Sequence, residues 1–213
     1  WFRLFLAFVC SYLSFVSSTN TNAVTCGSII KLVNTDYDVR LHSHDVNYGS
    51  GSGQQSVTGL KDVTDAGSYW QVKLEDKNTD YCRGLPIKCG QIIRLTHLSS
   101  KKNLHSHHFQ SPLSRNFEVS AFGQNGIGDE GDNWEIICND KTWMRESAVK
   151  FRHLSTSGYL HVSGSTFSHP IPGHFEISSS KSVYGSSWKT KEGVFIQPSE
   201  DSKTQYEPRH EDL

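Results

Sequence analysis

The sequence predicts an all-β fold whose sheet closes on itself around a pseudo-three-fold axis. Three observations carry that expectation. One segment is written three times, its apolar residues alternate at period two, and no window sustains the 3.6-residue period of an amphipathic helix. From Gly27 the chain reads GSIIKLVNTDYDVRLHSH, from Gly90 GQIIRLTHLSSKKNLHSH, and from Val149 VKFRHLSTSGYLHVSG. Leu41-His42-Ser43-His44 thereby matches Leu104-His105-Ser106-His107, with Leu160-His161-Val162-Ser163 as the third version.

The elements of each copy follow in the same order. A first strand is read from Ile30-Lys31-Leu32, Ile93-Arg94-Leu95 and Val149-Lys150-Phe151-Arg152, and the Leu-His segments form a second. A loop rich in Gly, Ser and His leads to a third short strand at residues 55–58, 117–120 and 175–178. A further loop leads to a fourth that opens on Trp70, Trp134 or Trp188. Clusters of Gly, Asn, Asp and Ser separate the runs. Three copies of four strands make about twelve. An open sheet of that size would leave unpaired edges, which three-fold closure removes. The expected architecture is a β-trefoil: a six-stranded barrel capped by three hairpins, with Leu32, Leu95, Phe151 and the three Trp in its core. The copies are bounded at 24–80, 86–141 and 142–197, together one domain, 24–197.

Composition narrows the function classes. The 213 residues carry 21 basic and 22 acidic side chains, a formal charge of −1 that gives no global attraction to nucleic acid or an anionic membrane. With 35% hydrophobic and 11% aromatic residues the chain can build a packed core. Residues 1–18 are expected to be a secretory signal peptide. One charge, Arg3, precedes an apolar run that is too short to span a bilayer, and the small Ser17 and Ser18 follow. No second apolar run of spanning length occurs. The polar tail, 198–213, ends in His210-Glu211-Asp212-Leu213. These four keep the basic-acidic-acidic-Leu pattern of an endoplasmic reticulum retention signal, with the two acids in swapped order. The expected location is therefore the endoplasmic reticulum lumen.

Cys26, Cys82, Cys89 and Cys138 remain once Cys10 leaves with the signal, an even number that suits an oxidising compartment. Four cysteines allow three pairings, and the sequence does not choose among them. Pairing within neighbouring segments, Cys26 with Cys82 and Cys89 with Cys138, is the expectation. No Cys-x-x-Cys occurs, which removes the zinc-ribbon and thioredoxin-like readings.

The remaining motifs furnish no reaction centre. His42/His44 and His105/His107 are His-x-His pairs whose imidazoles share a strand face, a donor set for zinc or copper. Against this stands their recurrence at matching positions, which a three-fold fold sets about 120° apart, so neither a metal nor a cofactor is expected. The run from Gly49 to Gln55 lacks the Lys-Ser/Thr of a phosphate loop, the third Gly of a dinucleotide fingerprint and the Ser of a nucleophile elbow. It is expected to be a surface turn. Tyr48, Gln54 and Gln55, with neighbouring His42, His44 and Asp45, are the candidate partner-binding surface. Asp129, Glu130, Asp132 and Glu135 lack the ligand order of a calcium loop and are expected to be a solvated acidic loop. No Asn-x-Ser/Thr sequon is present, so no N-glycan is expected.

The triplicated Leu-His segments, with the strand and Trp landmarks behind them, resemble MIR repeats. These are the β-trefoil module of protein O-mannosyltransferases and intracellular calcium-release channels. The stretches LHSHDV from Leu41, YGSGSGQQSVTG from Tyr48, PIKCGQ from Pro86 and NLHSHHF from Asn103 are similar to the stromal cell-derived factor 2 family. That resemblance covers roughly residues 24–200, and the third copy departs from it by losing the second His. It implies a soluble, non-catalytic luminal protein that associates with a J-domain co-chaperone and a BiP-type chaperone. There it would act on misfolded clients in quality control and the unfolded protein response. The alternative it leaves open is a lectin-like carbohydrate-binding module, with Asn34/Asp36 and Gln54/Gln55 as the candidate sugar contacts. An O-mannosyltransferase is disfavoured, because those enzymes are membrane-embedded and no spanning run follows the signal.

Overall fold

Alternation at period two resolves into twelve strands, all paired antiparallel, in a computed structural model that describes residues 22–75 and 82–197. The expected signal peptide, 1–18, and the tail with His210, Glu211, Asp212 and Leu213 lie outside the described residues. The strands are β1 (Ile29–Asn34), β2 (Arg40–Asn47), β3 (Gln55–Leu60), β4 (Trp70–Leu74), β5 (Ile92–His97) and β6 (Asn103–Gln110). They continue with β7 (Phe117–Phe122), β8 (Trp134–Ile137), β9 (Lys150–His153), β10 (Tyr159–Thr166), β11 (Phe175–Ser180) and β12 (Trp188–Val194). Two 3-10 turns, Ala66–Ser68 and Glu130–Asp132, are the helical elements among the described residues, and none of them is long and apolar enough to cross a membrane.

Six strands make a ring. β1 pairs with β4, β4 with β5, β5 with β8 and β8 with β9, while β12 returns to β1. A bridge between Val149 and Trp188 closes the circuit. The other six form three hairpins, β2–β3, β6–β7 and β10–β11, each with a register shift at the same place, after Ser43, Ser106 or Val162. Their inner strands pair with one another in turn: Gln55 opposite Ala121, Glu118 opposite Ser178, and Phe175 opposite Gly59. Each inner strand therefore finds partners on both sides, and no ladder edge is left open there.

The core repeats with the strands. Leu32, Leu95 and Phe151 are fully buried, as are Trp70, Trp134 and Trp188. Each of these three indoles donates its Nε1–H, at 2.9 Å, to the carbonyl of Leu41, Leu104 or Leu160. A buried indole needs such an acceptor, and removing a Trp of this kind costs about 3–5 kcal/mol. A second device recurs at the end of β1, β5 and β9. There Asn34, His97 and His153 donate to the carbonyls of Gly185, Gly67 and Gly131, at 2.8, 2.9 and 2.9 Å. Disulfides join Cys26 to Cys82 and Cys89 to Cys138.

A third device locks each hairpin to the next. Gln54, Asn116 and His174 immediately precede β3, β7 and β11 by matching distances, and each bonds a hydroxyl on the neighbouring inner strand. Gln54 Oε1 accepts from Ser120, Asn116 donates to Ser178, and His174 Nδ1 lies 2.9 Å from Thr58 Oγ1.

The acidic loop is solvated at Asp129 and Glu130, as expected, but not at Asp132. Asp132 is fully buried, accepting from Asn103 Nδ2 at 2.9 Å and from the Asp129 backbone N–H at 3.1 Å. The 3-10 turn, capped by Asp129, folds Asp132 inward against β6.

Candidate functional site

His42 and His44 stand two apart on β2, so their rings leave the same face, with centroids 4.9 Å apart. His42 Nδ1 donates to Asp65 Oδ2 at 2.7 Å, and Ser68 Oγ donates to the same oxygen at 2.6 Å. Burial opposes ionisation of Asp65, but the bonds from Ser68 and His42 outweigh it and hold the carboxyl below the usual carboxylate range. On the far side of His42 its Nε2 lies 2.7 Å from His44 Nδ1. His174 closes the group, its ring edge-on to both at 5.3 Å. Burial lowers the pKa of His44 to about 4, reinforced by His42 and His174, and burial with His42 lowers that of His174. Both rings are neutral at pH 7. His97 also lies below its ordinary value, mainly through burial. An open cavity of about 610 Å³ adjoins the group, lined by His42, His44, Asp45, Gln55, Asp65 and His97 among others.

The second copy treats the same motif differently. His105 Nδ1 donates to Asp132 at 2.9 Å, and His107 Nε2 donates to Glu118 at 3.0 Å, both carboxylates fully buried. Glu118 also accepts from the backbone N–H and the hydroxyl of Ser52, at the tip of the β2–β3 hairpin. In the first copy Ser56 occupies the position of Glu118, and His44 Nε2 meets its hydroxyl at 3.3 Å. In the third copy His161 stands alone, 3.3 Å from Ser178.

The six residues of the expected docking surface do not form one exposed patch. Asp45 is exposed, His44 and Gln54 are half-buried, and His42 is buried. Tyr48 is 8% exposed, with its hydroxyl 3.0 Å from the carbonyls of both Val57 and Val119, and burial pushes its phenol far up. Its glycine neighbours suggested a surface position. In fact the tip of the hairpin folds back on β7, and the aromatic ring fills the space beneath. Gln55 is buried too, donating to Ser43 at 2.8 Å and Ser100 at 3.1 Å. Of the sugar-contact candidates, Asn34 is fully buried and Asp36 accepts from the Gly185 N–H at 2.7 Å.

Asp65, His97, Glu118 and His174 were not singled out from the sequence. One signal for them was present. Aligning the copies sets Ser56 against Glu118 and Glu176, and Gln54 against Asn116 and His174, so the first copy lacks a carboxylate and the third carries an extra imidazole.

The MIR domain family matches residues 31–150. Stromal cell-derived factor 2 of Mus musculus is 52% identical over 189 residues, 88% of this chain and 89% of that protein. The crystal structure of the SDF2-like protein from Arabidopsis thaliana superposes with a TM-score of 0.80 at 42% identity, covering 84% of this chain and 99% of that one. The Saccharomyces cerevisiae protein O-mannosyltransferase Pmt1-Pmt2 complex, bound to the sugar donor, aligns at a TM-score of 0.74 and 26% identity, over 84% of this chain and 26% of that one. A match that runs through nearly all of the described strands, Trp landmarks and His segments leaves one assignment: the chain belongs to the stromal cell-derived factor 2 family of MIR-domain proteins.

Proposed function

We propose that this chain is a non-catalytic quality-control factor of the endoplasmic reticulum lumen. In this reading it is a subunit of a complex of a luminal J-domain co-chaperone and a BiP-type chaperone that helps keep misfolded proteins soluble. Family membership over 88% of the chain carries the reading. Two disulfides fit an oxidising compartment, and His210-Glu211-Asp212-Leu213 supplies the retention signal. The same reading takes the architecture as a β-trefoil of three MIR repeats, bounded at 24–80, 86–141 and 142–197. The thrice-repeated Trp-to-Leu bond and the mutual pairing of β3, β7 and β11 support it. On the candidate docking face the exposed Asp45 and half-buried His44 and Gln54 meet the partner, while Tyr48 and Gln55 hold the hairpin that presents them.

Capture from luminal extract tests this. The chain, immobilised, is expected to retain a J-domain protein together with its chaperone, and Asp45→Lys is expected to reduce that capture. The carbohydrate-binding reading draws on the mannosyltransferase complex, whose structure holds a sugar donor. A glycan-array signal without co-chaperone capture would replace the first reading by the second.

A further inference from the structure

We propose that His42, His44 and His174 are the ligands of one divalent transition-metal ion of the zinc class, held where the third copy of the repeat meets the first. One ring nitrogen from each lies within 4.8 Å of the other two. Two of the rings come from β2, and the third from the residue before β11, which pairs with β3 through Phe175 and Glu176. The ligands therefore sit on a hydrogen-bonded frame. Imidazole suits zinc, copper and nickel, and three protein ligands with a position left to solvent are a common zinc donor set.

The bonds around the rings match what a metal site needs. A ligating His ordinarily gives its other ring N–H to a carboxylate, carbonyl or similar acceptor, which fixes the ring and its tautomer. His42 gives Nδ1–H to Asp65, itself held by Ser68, and His174 Nδ1 meets Thr58.

Proton accounting between His42 and His44 points the same way. Ser56 donates its one hydroxyl proton to the carbonyl of Val46 at 2.8 Å, so towards His44 Nε2 it acts as acceptor. The His44 proton is then on Nε2, and its Nδ1 is a bare lone pair. The His42 proton lies on Nδ1, towards Asp65, which leaves Nε2 bare in the neutral ring. In that tautomer two lone pairs face each other across 2.7 Å and need a cation between them; in the other, His44 Nδ1–H donates to His42 Nε2 and none is needed. A metal ion meets that need, and a shared proton is the competing occupant. Around a tetrahedral zinc, ligand nitrogens stand about 3.3 Å apart, so small ring rotations open the pair enough. Metal binding requires deprotonated rings, and the contacts of His42 with Asp65 and of His174 with Thr58 leave one nitrogen of each ring free to face the ion. His42 and His44 both line the adjoining cavity, the route for the ion and a solvent ligand.

The second copy provides a contrast. Its His105 and His107 are engaged by Asp132 and Glu118, and Gln54 stands where His174 stands. His105, Asp129 and Asp132 also lie close enough to hold an ion, but Asp132 already accepts from His105, Asn103 and the Asp129 backbone.

The test is zinc titration of the untagged, chelator-stripped chain against a chromophoric chelator, with cobalt(II) absorption as a second readout. One equivalent is expected to bind, with cobalt bands of a four-coordinate site. H174Q is expected to weaken binding at least tenfold and D65N by roughly 10–100-fold, while D129N leaves it unchanged. If H174Q does not fold, X-ray absorption at the zinc edge of the unaltered chain counts the ligands: three imidazoles support the site, and fewer overturn it. Failure of the unaltered chain to bind an equivalent would make the shared proton the occupant and overturn the proposal. So would loss of binding in D129N with retention in H174Q.

Discussion

The first and second copies of the repeat carry the same Leu-His-Ser-His segment on the same strand, yet the two His pairs do opposite work. In the second, His105 and His107 each face a buried carboxylate, and the network ties β6, β7 and the β2–β3 hairpin together. In the first, only His42 has a carboxylate partner. His44 meets Ser56 and a third imidazole across the seam with β11. The scaffold is repeated while the chemistry on it is not. Two exchanges, Ser56 for Glu118 and His174 for Gln54, turn a carboxylate-bonded tie into a cluster of imidazoles beside an open cavity.

The largest difference is expected in stability. E118A removes the acceptor of Ser52 and His107, leaving half-buried donors unpaired, and should cost about 1.5–3 kcal/mol in a denaturant melt. S56A, at the matching position, removes one neutral hydroxyl and should cost about 1 kcal/mol. Equal losses would mean that the two networks are not distinct.

Next comes pH. Burial holds His153 at about 4, with the neighbouring His105 adding to the effect against the Gly131 carbonyl, and His44 also lies near 4. An unfolded His binds its proton near 6.5. Between those values the unfolded chain carries more protons, so the stabilisation is complete above about 6.5 and is lost as the pH falls towards 4. Thermal melts at pH 7 and 4.5 should show this acid sensitivity, and H153Q and H44Q should each reduce it.

A smaller effect sharpens the contrast at Ser56. S56E places a carboxylate beside His44, as Glu118 stands beside His107, and should raise the His44 pKa as read by NMR. No change would show that burial and the neighbouring imidazoles outweigh whatever stands at position 56. The smallest effect is expected at Asp45, which is exposed. D45N should change stability by less than about 0.5 kcal/mol.

The fold was legible because its signals are local and repeated. Period-two alternation and three Trp landmarks need no knowledge of distant contacts, and the all-β architecture follows from them. The site was less legible, for two physical reasons. His174 lies 130 residues from His44 in sequence, and only the pairing of β11 with β3 brings them together. Tyr48 lies among glycines that usually mark exposed turns, yet its ring is covered when Gly51, at φ 69°, turns the hairpin tip onto Glu118. The expectation of a solvated acidic loop failed at Asp132 alone, which is drawn inward by Asn103 and His105 in a way that sequence spacing does not reveal.

The contrast between the copies is tested most directly by making the same substitution in both and measuring zinc affinity and stability together. H44Q should abolish stoichiometric zinc binding with little loss of stability. H107Q should retain the zinc and melt earlier, because a flexible amide replaces the fixed ring N–H that Glu118 accepts. The reverse pattern, or equal effects in the two variants, would contradict the account.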